Sequence, residues 1–482
     1  MSANKLIFEV NGKPSFGKLL IFAFQQVLAV LAATILVPTI IGLPVQIPAA
    51  ILGAGLGTIV YLLFTRFKSP VVISSSFAFL GALSNAIAFG YMGILLGGLF
   101  AGAVYVVIAL IVRFVGTRWV EKLMPPVIIG PTVALIGLSL AGNATADMVT
   151  ATAAGQSYNL VALFCGLVTF FTVVIFSVQN RFKTGRLIPF ILGILAGYAV
   201  ASVFTIFGNI FNVNYLKIID WSPLVNNFKN ITVESFITYP RFALIGGIKE
   251  LVNGEVSAEI LAVNEKAHVI TGMGVLEVAL AFVPVAFVTF AEHIADHKNL
   301  SSIINQNLLE EPGLHRTLLG DGVGSMAGAF FGGACNTTYG ESVGCVAISG
   351  NASIRTIWVT AFLAILLSFF LPFSTLLASI PTPVMGGVCV ALYGFIAVSG
   401  LKMIQKVDLG DNRNLFVVSV ILIAGVGGFA MTFVLPNNAG TITLTEVACA
   451  LILGIVVNLI VNLSKKDKEE SPVEEPEEKV EE

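Results

Sequence analysis

The stretch "FGGACNTTYGESVGCVAISG", residues 331–350, does not read as one continuous helix. Its flanks are apolar and small, its centre from Asn336 to Tyr339 is Thr-rich and β-favouring, and an acid, Glu341, follows at once. A second stretch, "KSPVVISSSFAFLGALSNA" (68–86), is interrupted in the same way around Ser74–Ser76. Each predicts a strand-like break followed by a half-helix, starting near Phe79 in one and near Glu341 in the other. Backbone that leaves the helix in lipid has to be buried in protein or line a wet cavity, so the breaks matter only if the chain is embedded.

Composition says that it is. Of 482 residues, 56% are hydrophobic and 11% charged, and the mean hydropathy is +0.92. A soluble domain carries about 25% charged residues; this chain cannot wet a globular surface and reads as an integral membrane protein. The net charge of -2 sits in loops and tails and marks no partner, and no nucleic acid is expected. No cleavable signal peptide is expected either, because the first apolar run is long enough to span. The five cysteines, Cys165, Cys335, Cys345, Cys389 and Cys449, have no metal or redox spacing and read as packing residues; no cofactor or metal is implied.

Apolar runs give about 14 candidate spans: 19–41, 47–64, 71–89, 93–114, 126–142, 159–178, 187–208, 275–297, 320–335, 341–350, 356–379, 383–402, 414–434 and 444–463. The ninth and tenth are too short to cross alone as helices. Lys and Arg follow the even-numbered spans, as at Arg66, Arg113, Arg181, Arg355 and Lys402, while the exits "GLPVQIP" and "LPNNAG" carry none. That bias predicts both termini in the cytoplasm. The long segment 209–274 is expected outside, its second half an amphipathic surface helix or hairpin, and the tail after 464 is too polar to fold alone.

The halves resemble each other. "PVIIGPTVALIG" (126–137) matches "PVMGGVCVALYG" (383–394) at seven of twelve positions, and "SSSFAF" (74–79) falls opposite "NTTYGE" (336–341) at a similar offset. Seven spans per half force the second copy upside down, the inverted repeat of secondary transporters, in which paired broken segments mark the transport site. The expected fold is therefore an all-α polytopic membrane protein of 7+7 spans, with antiparallel strand-like breaks in spans 3 and 10.

Half-helix N-termini near Phe77 and Gly340 would present N–H donors to a ligand's carbonyl oxygens. Glu341 supplies the opposite polarity, since an ionised carboxylate only accepts hydrogen bonds. Together they suit a ring with adjacent C=O and N–H groups. Glu292 lies inside the apolar run "VPVAFVTFAEHIA" (283–295), opposite Ala33 by the repeat register. An acid at a helix centre costs roughly 2.5–3.5 kcal/mol, and burial disfavours its anion, so it suits a proton carrier; the alternative is a pair with His293, His297 or a Lys. Asp321 either lines the cavity or caps the ninth span, Gln25 and Gln26 either bond between helices or touch substrate, and Tyr393 either closes the pocket or packs. His315 and Arg316 belong to a cytoplasmic loop.

The strings "AEHIADH", "EPGLHRTLLGDG", "NTTYGES", "PVMGGV" and "SSSFAF" resemble the nucleobase–ascorbate transporter family, in its bacterial uracil permease branch, over nearly the whole chain. The resemblance implies a core domain (19–122 and 275–379) moving against a gate domain (123–208 and 380–464), between a cytoplasmic N-terminal tail (1–18), an extracellular loop (209–274) and a disordered tail (465–482). It implies proton-coupled uptake of uracil across the cell membrane, and a homodimer. Residue by residue, it makes Glu292 and Glu341 the carboxylates holding the pyrimidine N–H groups. The backbone of Phe77, Tyr339 and Gly340 contacts the ring, and Ala33 and Tyr393 line the site. Proton coupling falls to Glu292 with Asp296 and His297. Two positions depart from the family pattern. Asp296 stands where some relatives have His, and Ser342 where many have Asn. Another nucleobase such as xanthine, or an anion, is the rival cargo; an enzyme lacks a nucleophile–base set, and a channel needs no paired half-helices.

Overall fold

The computed structural model describes residues 6–179, 188–332, 334–434 and 441–469. Helices α1 (Phe16–Ile40) and α2 (Ile47–Phe64) come first, followed by strand β1 (Ile73–Ser75), a 3-10 turn at Phe77–Phe79, α3 (Leu80–Ala86) and α4 (Gly90–Val115). A short α5 (Arg118–Leu123) leads to α6 (Pro126–Ser139), α7 (Ala141–Val149), α8 (Leu160–Val178) and α9 (Pro189–Ile210). The long insertion carries α10 (Ser222–Phe228), α11 (Ala243–Asn253) and α12 (Ala258–Val263). Then come α13 (Gly272–Ile304), α14 (Leu314–Phe330), β2 (Asn336–Thr338), α15 (Gly340–Ser349), α16 (Ile354–Ser368), α17 (Leu371–Ala378) and α18 (Thr382–Ile404). The chain closes with α19 (Asn412–Val426), β3 (Met431–Val434), β4 (Thr441–Leu444) and α20 (Glu446–Glu469).

The helix starts follow from local chemistry. Pro126 and Pro189 open α6 and α9, where a missing N–H costs nothing. Asn159 caps α8, its Oδ1 accepting from the N–H groups of Val161 and Ala162 at 2.8 and 2.9 Å. Among the described residues, nine helical segments are long and apolar enough to cross a membrane by length and composition, and α16 and α19 are shorter apolar helices. The chain is a helical, multi-pass membrane protein.

The predicted spans differ from the helices in several places, three of which have a plain local cause or consequence. The stretch 356–379 splits into α16 and α17, because Thr238 N–H bonds to Phe369 O and Leu371 N–H to Phe236 O, and the insertion thereby occupies the backbone at the joint. The stretch 414–434 leaves the helix after Val426 at Gly427 and Gly428, the latter with φ +70°, and enters β3, which pairs antiparallel with β4. The helix α20 runs on to Glu469, into the predicted tail, of which 470–482 lie outside the described residues, as do Arg181, Lys183 and Arg186.

Two packing groups form. In one, α14 lies between α2 and α4, α13 packs on α4, and α16 packs on α1 and α2. In the other, α18 packs on α6, α7 and α8, α19 packs on α6 and α20, and α8 on α9. They meet where α13 touches α6, α20 and β4 and where α1 touches α9. Close approach of α2 and α14 depends on glycine: a Cβ on Gly57 would sit 2.8 Å from Gly324 O.

The second half of the insertion is fastened down rather than lying loose on the surface. Glu250 of α11, 4% exposed, accepts from Tyr91 N–H at 2.8 Å and from Ser257 N–H and Oγ at 3.1 and 2.8 Å. It thereby satisfies an orphan donor at the start of α4. Gly90 has φ +65°, and a Cβ there would fall 2.3 Å from Glu250 Oε2, so both backbone and space require glycine. Arg241 pairs with Glu259, whose carboxylate also accepts from Tyr91 Oη at 3.0 Å.

Candidate functional site

The two predicted breaks are β1 and β2, and they pair antiparallel: Ile73 with Thr338, Ser74 with Thr337, and Ser75 with Asn336. All six residues are buried. A two-stranded ribbon of this length is not stable alone, and the surrounding helices hold it. Thr58 Oγ1 of α2 donates to Ile73 O and accepts from Ile73 N–H. Thr34 Oγ1 of α1 lies 2.6 Å from Ser74 Oγ. Asn336 donates from Nδ2 to Gly53 O at 3.0 Å and from its N–H to Ser325 Oγ at 3.0 Å. Ser76 N–H bonds Cys335 O at 2.9 Å, extending the pairing by one rung.

From this ribbon the two half-helices leave. On one side Ser76 caps the turn that begins at Phe77, its Oγ accepting from Ala78 N–H. On the other, α15 begins at Gly340 with Glu341 in its first turn, where the helix dipole favours an anion. Ser342 clasps the two together: its Oγ donates to Gln26 Oε1 and accepts from Val72 N–H, while Gln26 Nε2 donates to Ser342 O. Gln26 thus bonds between helices, the plainer of its two predicted roles.

Glu292 reaches the same place from α13. Its electrostatic neighbours are Asp296, Glu341 and Asp321, so the two substrate-holding carboxylates of the sequence reading, its proton-coupling Asp296 and its candidate Asp321 converge. Glu292 Oε2 and the Tyr339 hydroxyl are buried and make no hydrogen bond among the described residues. Tyr339 lies within electrostatic reach of Glu341, Glu292 and Tyr393. Asp296 abuts the start of α15: its Oδ1 would lie 3.5 Å from a Cβ on Gly340. Phe77 and Tyr393 close the other side, their rings meeting edge to face. Ala33 falls in α1, but its side chain lies outside the described residues.

Neither histidine beside Glu292 partners it. His293 Nδ1 lies 2.7 Å from Asp321 Oδ2, with both side chains at most 1% exposed, and its Nε2 lies 3.0 Å from Thr317 Oγ1. His297 Nε2 lies 2.7 Å from the Tyr61 hydroxyl. Asp321 does not cap α14, whose N-cap is Gly313; it sits in the middle of the helix and also accepts from Thr337 Oγ1 at 3.2 Å. A cavity of about 10 Å³ behind the ribbon is lined by Phe79, Tyr105, Thr289, Asp321, Ser325 and Asn336, not by the acid pair. Asp321 therefore faces both the carboxyl cluster and a small polar hollow. The sequence marked Asp321 only as a candidate; Thr317, Thr337 and Tyr61 carried no signal of their own.

Comparison with known proteins follows the same line. Residues 17–434 match a family described as Permease family. The chain is 34% identical over 458 residues to the uracil permease of Bacillus caldolyticus, covering 94% of each chain. It is 34% identical over 463 residues to that of Bacillus subtilis (strain 168), covering 95% of this chain and 96% of the relative. It is 32% identical over 449 residues to that of Escherichia coli (strain K12), covering 92% of each. Among solved structures, the transmembrane domain of a cyanobacterium bicarbonate transporter, BicA, aligns with TM-score 0.52 at 13% identity, over 93% of this chain and 99% of that one. The murine Slc26a9 anion transporter in the inward-facing state aligns with TM-score 0.59 at 11% identity, over 94% and 69%. These two likenesses concern the fold alone.

Proposed function

Because the chain belongs to the Permease family of nucleobase–ascorbate transporters, a family of transporters and not enzymes, we propose that it is a uracil:proton symporter working by alternating access. The observation that carries the cargo is the meeting of Glu292 and Glu341 with the two half-helix starts. Peptide donors near Phe77 and Gly340 suit the pyrimidine oxygens, and the carboxylates suit its N–H groups. Tyr339 and Tyr393 bound the ring, with Ala33 in the facing helix. Glu292 Oε2, buried with no hydrogen-bond partner among the described residues, leaves an acceptor for such a donor.

Proton coupling is supported by the crowding. Like charges this close are not all ionised together, so the cluster of Glu292, Asp296, Glu341 and Asp321 is a place where protons are held, and His297 lies one residue beyond Asp296. An anion as cargo, the other chemistry known on this fold, is disfavoured by the same acids. Xanthine is the rival nucleobase.

The reading extends to topology. It takes fourteen spans in two inverted halves, with the packing group of α1–α4 and α13–α17 as core and that of α6–α9 and α18–α20 as gate, and puts the site between parts that would move against each other. Both termini lie in the cytoplasm of a cell that carries the protein in its plasma membrane, and the homodimer implied by the resemblance completes the assembly. Uptake of labelled uracil into vesicles under an imposed pH gradient, competed by uracil, thymine, xanthine and sulfate, tests cargo and coupling together. Uptake indifferent to the gradient defeats symport, and stronger competition by xanthine or sulfate than by uracil defeats the cargo.

A further inference from the structure

Behind the carboxyl cluster lies a second polar system that substrate binding does not use. The imidazoles of His293 and His297 stack, 4.0 Å between centroids and 28° between planes. Each ring continues into its own chain of hydrogen bonds. From His293 the chain runs to Asp321 at 2.7 Å and from there to Thr337 of β2 at 3.2 Å, at the edge of the binding site. From His297 it runs to Tyr61 Oη at 2.7 Å and on to the buried Ser69 Oγ at 2.7 Å, one residue after exposed Lys68, which pairs with Glu311.

We propose that these two chains form a proton wire between the carboxyl cluster and the loop after α2, interrupted at one link between the stacked rings. The proposal rests on the proton-coupled reading above. Its loop-side half works as follows. His297 Nδ1 faces His293 O at 2.8 Å, and a carbonyl only accepts, so Nδ1 carries hydrogen in every state. When the ring is neutral, the Nε2 lone pair accepts the Tyr61 O–H, and Ser69 donates to Tyr61. When the ring is an imidazolium, Nε2–H donates to Tyr61 Oη, and Tyr61 donates to Ser69. Both fillings satisfy the same heavy atoms. A proton therefore leaves Nε2 for Tyr61 Oη as the Tyr61 proton moves to Ser69, whose side chain is itself buried, so that its proton passes to water only when the backbone beside exposed Lys68 opens.

The break is as informative as the wire. His297 and Asp321 are within electrostatic reach of each other but share no hydrogen bond, because both ring nitrogens of His297 are already engaged, Nε2 by Tyr61 Oη and Nδ1 by His293 O. An unbroken wire would leak the gradient; a link that closes only when an imidazole turns does not. Two rings 4.0 Å apart are not both cations, which limits the wire to one proton at a time. The groups facing the stack are Tyr61 of α2, Tyr105 of α4 with its ring 5.9 Å from that of His293, Asp321 and Thr317 of α14, and Asp296 on α13 itself. Among the described residues none of these is a Lys or Arg that would hold a proton away.

The test uses the whole protein in proteoliposomes, comparing uracil uptake driven by a pH gradient with exchange of labelled for unlabelled uracil at equal pH. Tyr61→Phe and Ser69→Ala each remove one hydroxyl and leave the packing. The expected result is a loss of tenfold or more in gradient-driven uptake, with exchange within about twofold of wild type. Wild-type values in both modes for both variants overturn the wire, and so does equal loss in both modes, which marks a structural role. A wild-type protein whose uptake ignores the gradient is a different failure, that of symport itself.

Discussion

The rings of Phe77 and Tyr393 meet edge to face, with 5.3 Å between centroids and 83° between planes. Phe77 starts the turn after β1, and Tyr393 belongs to α18, so the contact joins the two packing groups beside the carboxyl cluster. An aromatic pair of this geometry is worth about 0.5–1.5 kcal/mol beyond its burial, weak enough to break and remake in each cycle of the proposed alternating access.

That weakness sets the effect of Phe77→Ala. If the ligand is held by the backbone there, losing the ring removes a lid and no hydrogen bond. Uracil affinity should fall by about two- to tenfold, well short of the effect of either glutamate, as read by equilibrium binding.

Glu341→Gln replaces an acceptor with an NH2 group that faces the ring N–H it should receive. Hydrogen bonds to charged groups contribute about 1.5–3 kcal/mol, and an unmatched donor adds to the loss, so uracil binding should fall by about a hundredfold or beyond detection. Unchanged affinity rules out Glu341 as the base-holding carboxylate.

Glu292→Gln cannot carry a proton but keeps the volume. Gradient-driven uptake should drop more than uracil exchange does, measured on the same vesicles. Equal loss of both counts against a coupling role distinct from binding.

Asp321→Ala strips His293 of a buried partner. Breaking one side of a buried pair costs about 3–5 kcal/mol, so the purified protein should melt several degrees lower in detergent. Asp321→Asn, which still accepts from Nδ1–H, should fall between the two.

Glu250→Ala leaves Tyr91 N–H and Ser257 N–H without an acceptor, at about 1–3 kcal/mol for each buried group. The segment from α11 to α12 should loosen, and trypsin should cut at exposed Lys249 and Lys266 faster than in wild type. Equal digestion rates would remove Glu250 as the anchor.

The breaks were legible because a run of Ser and Thr in an apolar chain has few other ways to exist at membrane depth; the predicted interruptions became the paired strands "ISS" (73–75) and "NTT" (336–338). The partners of Glu292 were not. Neighbouring helix positions do not share a face, so His293 turns from Glu292 toward Asp321, 28 residues on, a pairing that needs the fold to be known. The same holds for Tyr61 with His297, 236 residues apart, and for Gln26 with Ser342, 316 apart. Local pattern announces where backbone leaves a helix; it is silent on which distant helix answers.

The three-rung ribbon of β1 and β2 welds sequence from both halves into one stiff bracket, braced by Thr58 and Asn336. Whatever slides during a turnover, the two sets of amides it presents stay at a constant separation from each other. Under the proposed alternating access, cargo seated there would ride across without being let go and caught again, and release would come from water reaching a seat that has not changed shape.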